Sequence, residues 1–339
     1  MNMQTDNDQW YARGDPWTLE QIGWQPERCI YHETIFTQSN GYMGVRGYTE
    51  EPGGCERSCR EGYLGGVFAH TDEAALEQTR VDYDWPLLSM ISLPEIFGCR
   101  ITLAGSPLRL DAGGIDGFRR SLNMRNGELR REFEWRDAEG RRTLLSFRRF
   151  LSSATPHLAL QAIALTALNW SGAARLGIAL DGATPAYFRC GERTLPHLPQ
   201  PLLENPRVAI GSDDSACLAV DTRGSGHGVA IASALAGGSC TADNSPASQL
   251  RQRLDLAAQA GVEARALHVV AVVCTRDRIA ADSVSSVAVE HARQARANGY
   301  ASELDASSRV WAERWRHSDI ELDGPASDQA RIRYGAFSM

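Results

Sequence analysis

The chain has 339 residues, of which 43% are hydrophobic and 23% charged, and its net charge is −7. That is the composition of an ordinary globular protein of about two domains. All 35 basic residues are arginine, which excludes a lysine Schiff base or a phosphate-loop lysine, and an acidic chain without an arginine run argues against a nucleic-acid partner.

The first residues, Met1 to Asp8, are polar and acidic and contain no apolar segment of the secretory type. No apolar run reaches the length of a membrane span. Cysteines stand at 29, 55, 59, 99, 190, 217, 240 and 274. Scattered in a chain of this length without a secretion signal, they are expected to be reduced thiols in a cytoplasmic protein.

Residues 31–47 hold Glu33-Thr34, Phe36-Thr37, Asn40-Gly41-Tyr42 and Gly44-Val45-Arg46-Gly47. Asn40-Gly41 predicts a two-residue hairpin turn, and Arg46 is fenced by two glycines. Further on, Phe133 and Trp135 alternate with Glu132, Glu134 and Arg136, and a strand resumes over 143–152, so 129–152 reads as a hairpin. Leu176, Ile178 and Leu180 alternate in the same way. The nearly continuous apolar runs at 157–168 and 267–274 predict strands buried on both faces. Short strands with Gly, Pro, Asn and Asp between them predict a large β-sandwich. The segment 183–207 reads as a long loop.

The period changes after Asp277. Val284, Val287, Ala288, Ala292 and Ala295 follow helical spacing, with Gly299 at the position of a C-terminal cap. A second helix is expected from Ser302, with Asp305 as capping-box partner. Its stripe is Leu304, Ser308, Trp311 and Trp315. The stretch to Met339 has helical character without a cap, as expected of a chain that continues.

These residues resemble glycoside hydrolase family 65, which includes the maltose, kojibiose and trehalose phosphorylases. The opening stretch carries the most specific part of the likeness. Gly62-Tyr63, Gly66-Val67-Phe68, Leu93-Pro94, Asn123-Met124-Arg125, Arg149-Phe150, Thr275-Arg276-Asp277, Trp311, Trp315 and Gln329-Ala330 extend it along nearly the whole chain. The resemblance implies a galactose-mutarotase-like super-β-sandwich over residues 1–277, a helical linker over 278–318, and the start of an (α/α)6 barrel over 319–339. It implies an inverting phosphorylase or hydrolase of α-linked glucosyl disaccharides, with inorganic phosphate as co-substrate, no cofactor, and a homodimer at full length. The family's catalytic acid and phosphate site lie in the barrel, so no catalytic residue is assigned to this chain. Ser307 and Ser308 stand where the family usually has a histidine, and Pro325 where it usually has an acid.

Glu33, Asn40, Tyr42, Arg46 and Tyr63 are the candidates for a substrate-binding or domain-interface site. Glu33 and Arg46 could frame a sugar site; the reading favoured is an ion pair across the hairpin, in which loss of Arg46 strands its partner. Aromatic residues beside glycines, such as Tyr42, Tyr63 and Phe68, are more often packing than sugar platforms. Cys29-x-x-His32 and Cys55-x3-Cys59 lack a second paired set, so no metal site is expected. Glu50-Glu51 and Asp82-x-Asp84 read as solvated acids rather than a glycosidase dyad. Gly224 to Gly228 reads as a turn. Trp311 and Trp315 are expected to lie between sandwich and barrel, part of their stripe open here. Two other classes stay in play: a free-standing sandwich that binds sugar or protein, and a mutarotase-like enzyme that needs a histidine (157, 227 or 268) and a glutamate in one cleft.

Overall fold

Strand alternation decides which faces of this chain are covered. In the Glu263–Cys274 strand, Val270, Val272 and Cys274 join one apolar cluster, and Val269, Ala271 and Val273 join another on the opposite face. A strand buried on both sides must lie inside a layered structure. The structure is a computed structural model that describes residues 14–55, 58–70, 88–184, 188–190, 193–195 and 202–338.

Among these residues the central layer is a nine-stranded antiparallel sheet. Its order is Thr18–Ile22, Gly114–Asn123, Glu128–Arg136, Arg142–Leu151, Leu158–Ala167, Glu263–Cys274, Gly228–Ala236, Ala216–Thr222 and Leu203–Ile210. The expected hairpin is present, with Phe133 opposite Leu145 and Trp135 opposite Thr143. Part of one face meets a five-stranded sheet of Ser239–Asp243, Gln249–Ala258, Gly172–Asp181, Arg100–Leu103 and Ser106–Pro107. Phe133, Phe147 and Ile163 pack there against Leu176, Ile178 and Leu254. The rest of that face meets a four-stranded sheet of Gln38–Ser39, Met43–Val45, Gly62–His70 and Leu88–Leu93.

The other face is covered by helix. Helix α1 (Cys29–Ile35) precedes the four-stranded sheet, and helices α2 (Val284–Ser318) and α3 (Ala326–Phe337) close the chain. Val284, Ala288, Ala292 and Ala295 lie on Ala230, Ala232 and Ala271 of the central sheet. These small side chains let the helix seat closely. Gly299 breaks α2 with a φ of 80°, a value glycine adopts without penalty. The helix resumes directly, and Asn298, rather than Ser302, makes the polar contact at the break by donating to Glu303 at 2.7 Å.

The segment read as a loop over 183–207 contains a short hairpin, Phe188–Cys190 with Arg193–Leu195, and the start of the Leu203–Ile210 strand. Gly224 to Gly228 does join two strands as a turn. The Asp82-x-Asp84 pair lies outside the described residues.

Candidate functional site

The opening motif is a hairpin displaced by one residue from its simplest reading. Gln38 pairs with Val45 and Ser39 with Gly44, so the two central residues are Gly41 and Tyr42. Gly41 takes a φ of 87°, and glycine in the first central position is what a type II′ turn requires. Asn40 is therefore freed for another task. Its Oδ1 accepts from the Tyr42 and Met43 amides at 3.0 Å, and its Nδ2 donates to the Ser152 and Pro156 carbonyls. One buried amide thus ties the turn to the central sheet.

Beneath the motif lies a layer of buried charge. Arg131 is in phase with Phe133, and Arg120 and Arg149 likewise point inward from neighbouring strands. Arg131 binds Glu50 and Glu51, and Arg149, fully buried, reaches Glu50 at 3.3 Å and the carbonyl of Arg46 at 3.1 Å. Arg120 donates to the Gly47 carbonyl at 2.6 Å and to Gln21. The guanidinium planes also lie over Phe36, Tyr48, Phe97, Phe133 and Phe147. Glu50 and Glu51 are thus buried, contrary to the expectation of solvated acids. The loop that holds them turns inward, where Arg131 and Arg149 meet its carboxylates.

The electrostatics follow from that pairing. Burial alone would raise the Glu50 carboxyl, but Arg131 and Arg149 hold it below its ordinary value. A general acid has to keep a proton near neutrality, so Glu50 is unsuited to protonating a glycosidic oxygen. Burial, then Arg131 and Arg149, bring Arg120 down to about 9. Burial, then Arg120 and Arg28, bring His32 down to about 3.

Glu33 and Arg46 are less intimate than expected. Glu33 sits on α1 rather than across the hairpin, and the Arg46 Nη2 atom is 3.9 Å from it. Glu33 instead accepts from the Cys59 amide at 3.0 Å and from the Ser58 hydroxyl, while Arg46 donates to the Thr34 hydroxyl at 3.0 Å. The close approach is made by Gly47, where a Cβ would lie 2.5 Å from Phe36. Tyr63 lies half-buried in the Gly62–His70 strand, opposite Gly44 and Ser92.

Tyr42 belongs to a second cluster. Its hydroxyl donates to Asp277 at 2.6 Å, and His157 stands 3.3 Å from the same carboxylate oxygen. Burial, then the Asp277 bond, raise the Tyr42 phenol well above its ordinary value. Arg276 lies over the Tyr42 ring, and His157 stacks on His291. His227 and His268 stand elsewhere, and the carboxylate beside His157 is an aspartate. The convergence of histidine and glutamate that a mutarotase-like site needs is not made by these three histidines among the described residues.

The family model for the N-terminal domain of glycosyl hydrolase family 65 matches residues 19–314. The chain belongs to that family. A kojibiose phosphorylase of Halothermothrix orenii is 25% identical over 95% of this chain and 40% of its own length. A maltose phosphorylase of Bacillus subtilis is 24% identical over 96% of this chain and 42% of its own. The chain spans about two-fifths of the length of these relatives. A solved structure described as a putative kojibiose phosphorylase from human microbiome shares the fold, with a TM-score of 0.81 at 18% identity over 97% of this chain and 42% of that one.

In this family 65 chain the two α2 tryptophans are covered. Trp311 and Trp315 are 6% and 7% exposed. Trp315 donates from Nε1 to the Met124 carbonyl at 2.8 Å and meets Trp17 edge-on. Trp311 stacks on Phe337 of α3 at 5.0 Å. The expected open stripe is therefore absent, because α3 folds back onto it and the Thr18–Ile22 edge closes the other side. Ser307 accepts from the Ser153 amide at 3.0 Å.

The cysteines need one correction. Cys29 and Cys55 form a disulfide, with Cα atoms 5.9 Å apart, where reduced thiols were expected. The fold brings the start of α1 against the 53–55 turn, a proximity invisible in spacings of single cysteines. Among the described residues no group of His, Cys, Asp and Glu is arranged to hold a metal. No helix there is long and apolar enough to cross a membrane.

Proposed function

We propose that this chain is the non-catalytic N-terminal part of an inverting phosphorylase that acts on α-linked glucosyl disaccharides. The observation that carries the reading is the family match over residues 19–314 in a chain that spans about two-fifths of its phosphorylase relatives. In the whole enzyme a barrel glutamate protonates the glycosidic oxygen. Inorganic phosphate attacks the anomeric carbon from the opposite face and releases β-glucose 1-phosphate. If water replaces phosphate, the same frame gives a hydrolase.

On this reading residues 1–277 form the sandwich, 278–318 the linker and 319–339 the first part of the barrel. The opening motif is a structural latch, and Tyr42 with Asp277 and His157 faces the following domain. The whole enzyme works as a cytoplasmic homodimer. The commitment of Glu50 and Glu51 to arginines supports a supporting role for this part. The test pairs two proteins: this chain alone, and the chain extended by the reading frame beyond codon 339. Each is incubated with maltose, kojibiose, nigerose and trehalose plus phosphate. The extended protein is expected to release glucose 1-phosphate and the present chain none. Turnover by the present chain, or no turnover by the extended one, overturns the proposal.

A further inference from the structure

Arginine supplies every basic side chain other than histidine, and among the described residues most guanidinium groups have acidic partners. One corner of the outer face of the five-stranded sheet departs from that rule, whereas Arg175 and Arg253 on the same face both pair with Asp255. A cavity of about 350 Å3 opens there, lined by Arg60, Arg100 and Arg251, by the acids Glu50, Glu95 and Asp181, and by Gly177 and Ala179. The register explains the floor: Arg100 stands opposite Gly177, and Arg251 opposite Ala179. No long side chain rises between the two arginines. A Cβ on Gly177 would meet only Arg100 atoms, at 3.6 and 3.9 Å.

The three arginines differ in what they bind. Arg60 is fully occupied by Glu95 and by the carbonyls of Thr49, Glu50 and Glu51. Among the described residues Arg251 donates only to the neutral Oε1 of Gln249, from Nε and Nη2. That amide is itself held, since its Nε2 donates to Asp181 at 2.8 Å, and Asp181 also accepts from the Ala183 amide. Asp181 thus orients Gln249, and Gln249 orients Arg251, without neutralising it. Arg100 is exposed and makes no hydrogen bond or ion pair among the described residues.

We propose that this cleft binds a sugar phosphate, with the phosphoryl group between Arg100 and Arg251 over Gly177 and Ala179. Guanidinium forks recognise phosphate through paired charge-assisted bonds, and a held fork loses less freedom on binding. The volume is at the small end of ligand cavities and suits a monosaccharide, whose hydroxyls meet the Thr184, Glu95 and Asp181 side chains at the rim. The choice of hexose as the carrier rests on the function proposed above; the anion site itself does not.

Isothermal titration calorimetry of the 339-residue chain at low salt tests this, with glucose 1-phosphate, glucose 6-phosphate, inorganic phosphate and glucose as probes. Saturable binding of the hexose phosphates is expected, and none of glucose. Arg100→Gln and Arg251→Gln should each weaken it about tenfold or more, the loss from one charge-assisted bond. Gly177→Val should abolish it by filling the floor, with the thermal midpoint unchanged. Since the Arg100 side chain makes no hydrogen bond or ion pair among the described residues, its variant keeps the test valid if Gly177→Val misfolds. No binding of hexose phosphates, or binding that Arg100→Gln leaves intact, overturns the site. Equal affinity for inorganic phosphate overturns the sugar assignment.

Discussion

Two sets of arginines meet opposite surroundings, although Glu50, a partner of the first set, also lines the cleft of the second. Arg120, Arg131 and Arg149 point inward from the nine-stranded sheet and have carboxylates, carbonyls or amides on their guanidinium groups, with aromatic rings packed over them. Arg100 and Arg251 point outward from the five-stranded sheet and have, between them, one neutral amide among the described residues. The difference teaches what burial demands. A charge taken from water must be matched by a partner and by hydrogen bonds, or the fold is lost. A charge left in water needs neither, and its donors stay free for a ligand.

The sharpest break of this comparison is Arg131→Leu. It leaves Glu50 and Glu51 buried without their shared partner and should cost roughly 3–5 kcal/mol, read from urea denaturation. Arg100→Gln should stay within about 0.5 kcal/mol of the parent, as surface changes do. Comparable losses in both would erase the distinction between the two sets.

Apolar burial should weigh nearly as much as buried charge. Trp311→Ala and Trp315→Ala should each cost about 3–5 kcal/mol, the range for a large ring in a closed core. Both rings are covered in this chain, so Trp315→Glu should destabilise it rather than improve its solubility. Thermal midpoints of the three variants decide this, and a stable, more soluble Trp315→Glu would mean the stripe is open in solution.

His268 sharpens the comparison from the side of a buried base without a counter-charge. Burial lowers it to about 4 from 6.5, and its Nδ1 has no hydrogen-bond partner among the described residues. The unfolded chain takes up a proton here that the folded chain refuses. Stability from this group is whole above pH 6.5 and falls as pH drops, by about 1.4 kcal/mol per unit until pH 4. His268→Gln should flatten the stability profile over that window by about 3 kcal/mol in all. An unchanged slope would show that the imidazole is already charged when folded.

Apart from Arg100→Gln, the smallest effect is expected at Arg46. At 3.9 Å from Glu33 and with a bond to Thr34, Arg46→Ala should cost about 1 kcal/mol. The glycine beside it matters more, since Gly47→Ala must displace Phe36.

The sequence by itself determined the layered β architecture, the 129–152 hairpin, the doubly buried 267–274 strand, the helix that ends at Gly299 and the family. Each of these is written in a local period or in a residue type whose backbone demand is local. Arg131 falls in phase with Phe133, which places it on the inward face, but the alternation does not say that an acid meets it. Only the tertiary structure decided which acid that is. Glu50 and Glu51 are about eighty residues away, and nothing in Glu-Glu itself distinguishes a surface pair from a buried one. The same holds for Cys29 with Cys55, for Tyr42 with Asp277, and for the closure of the tryptophan stripe by α3. Arg100 and Arg251 face one cleft only because Gly177 and Ala179 lie across from them in register. Periodicity fixes the face on which a side chain lies, whereas its partner is chosen by the packing of distant segments and by the need to match every buried charge.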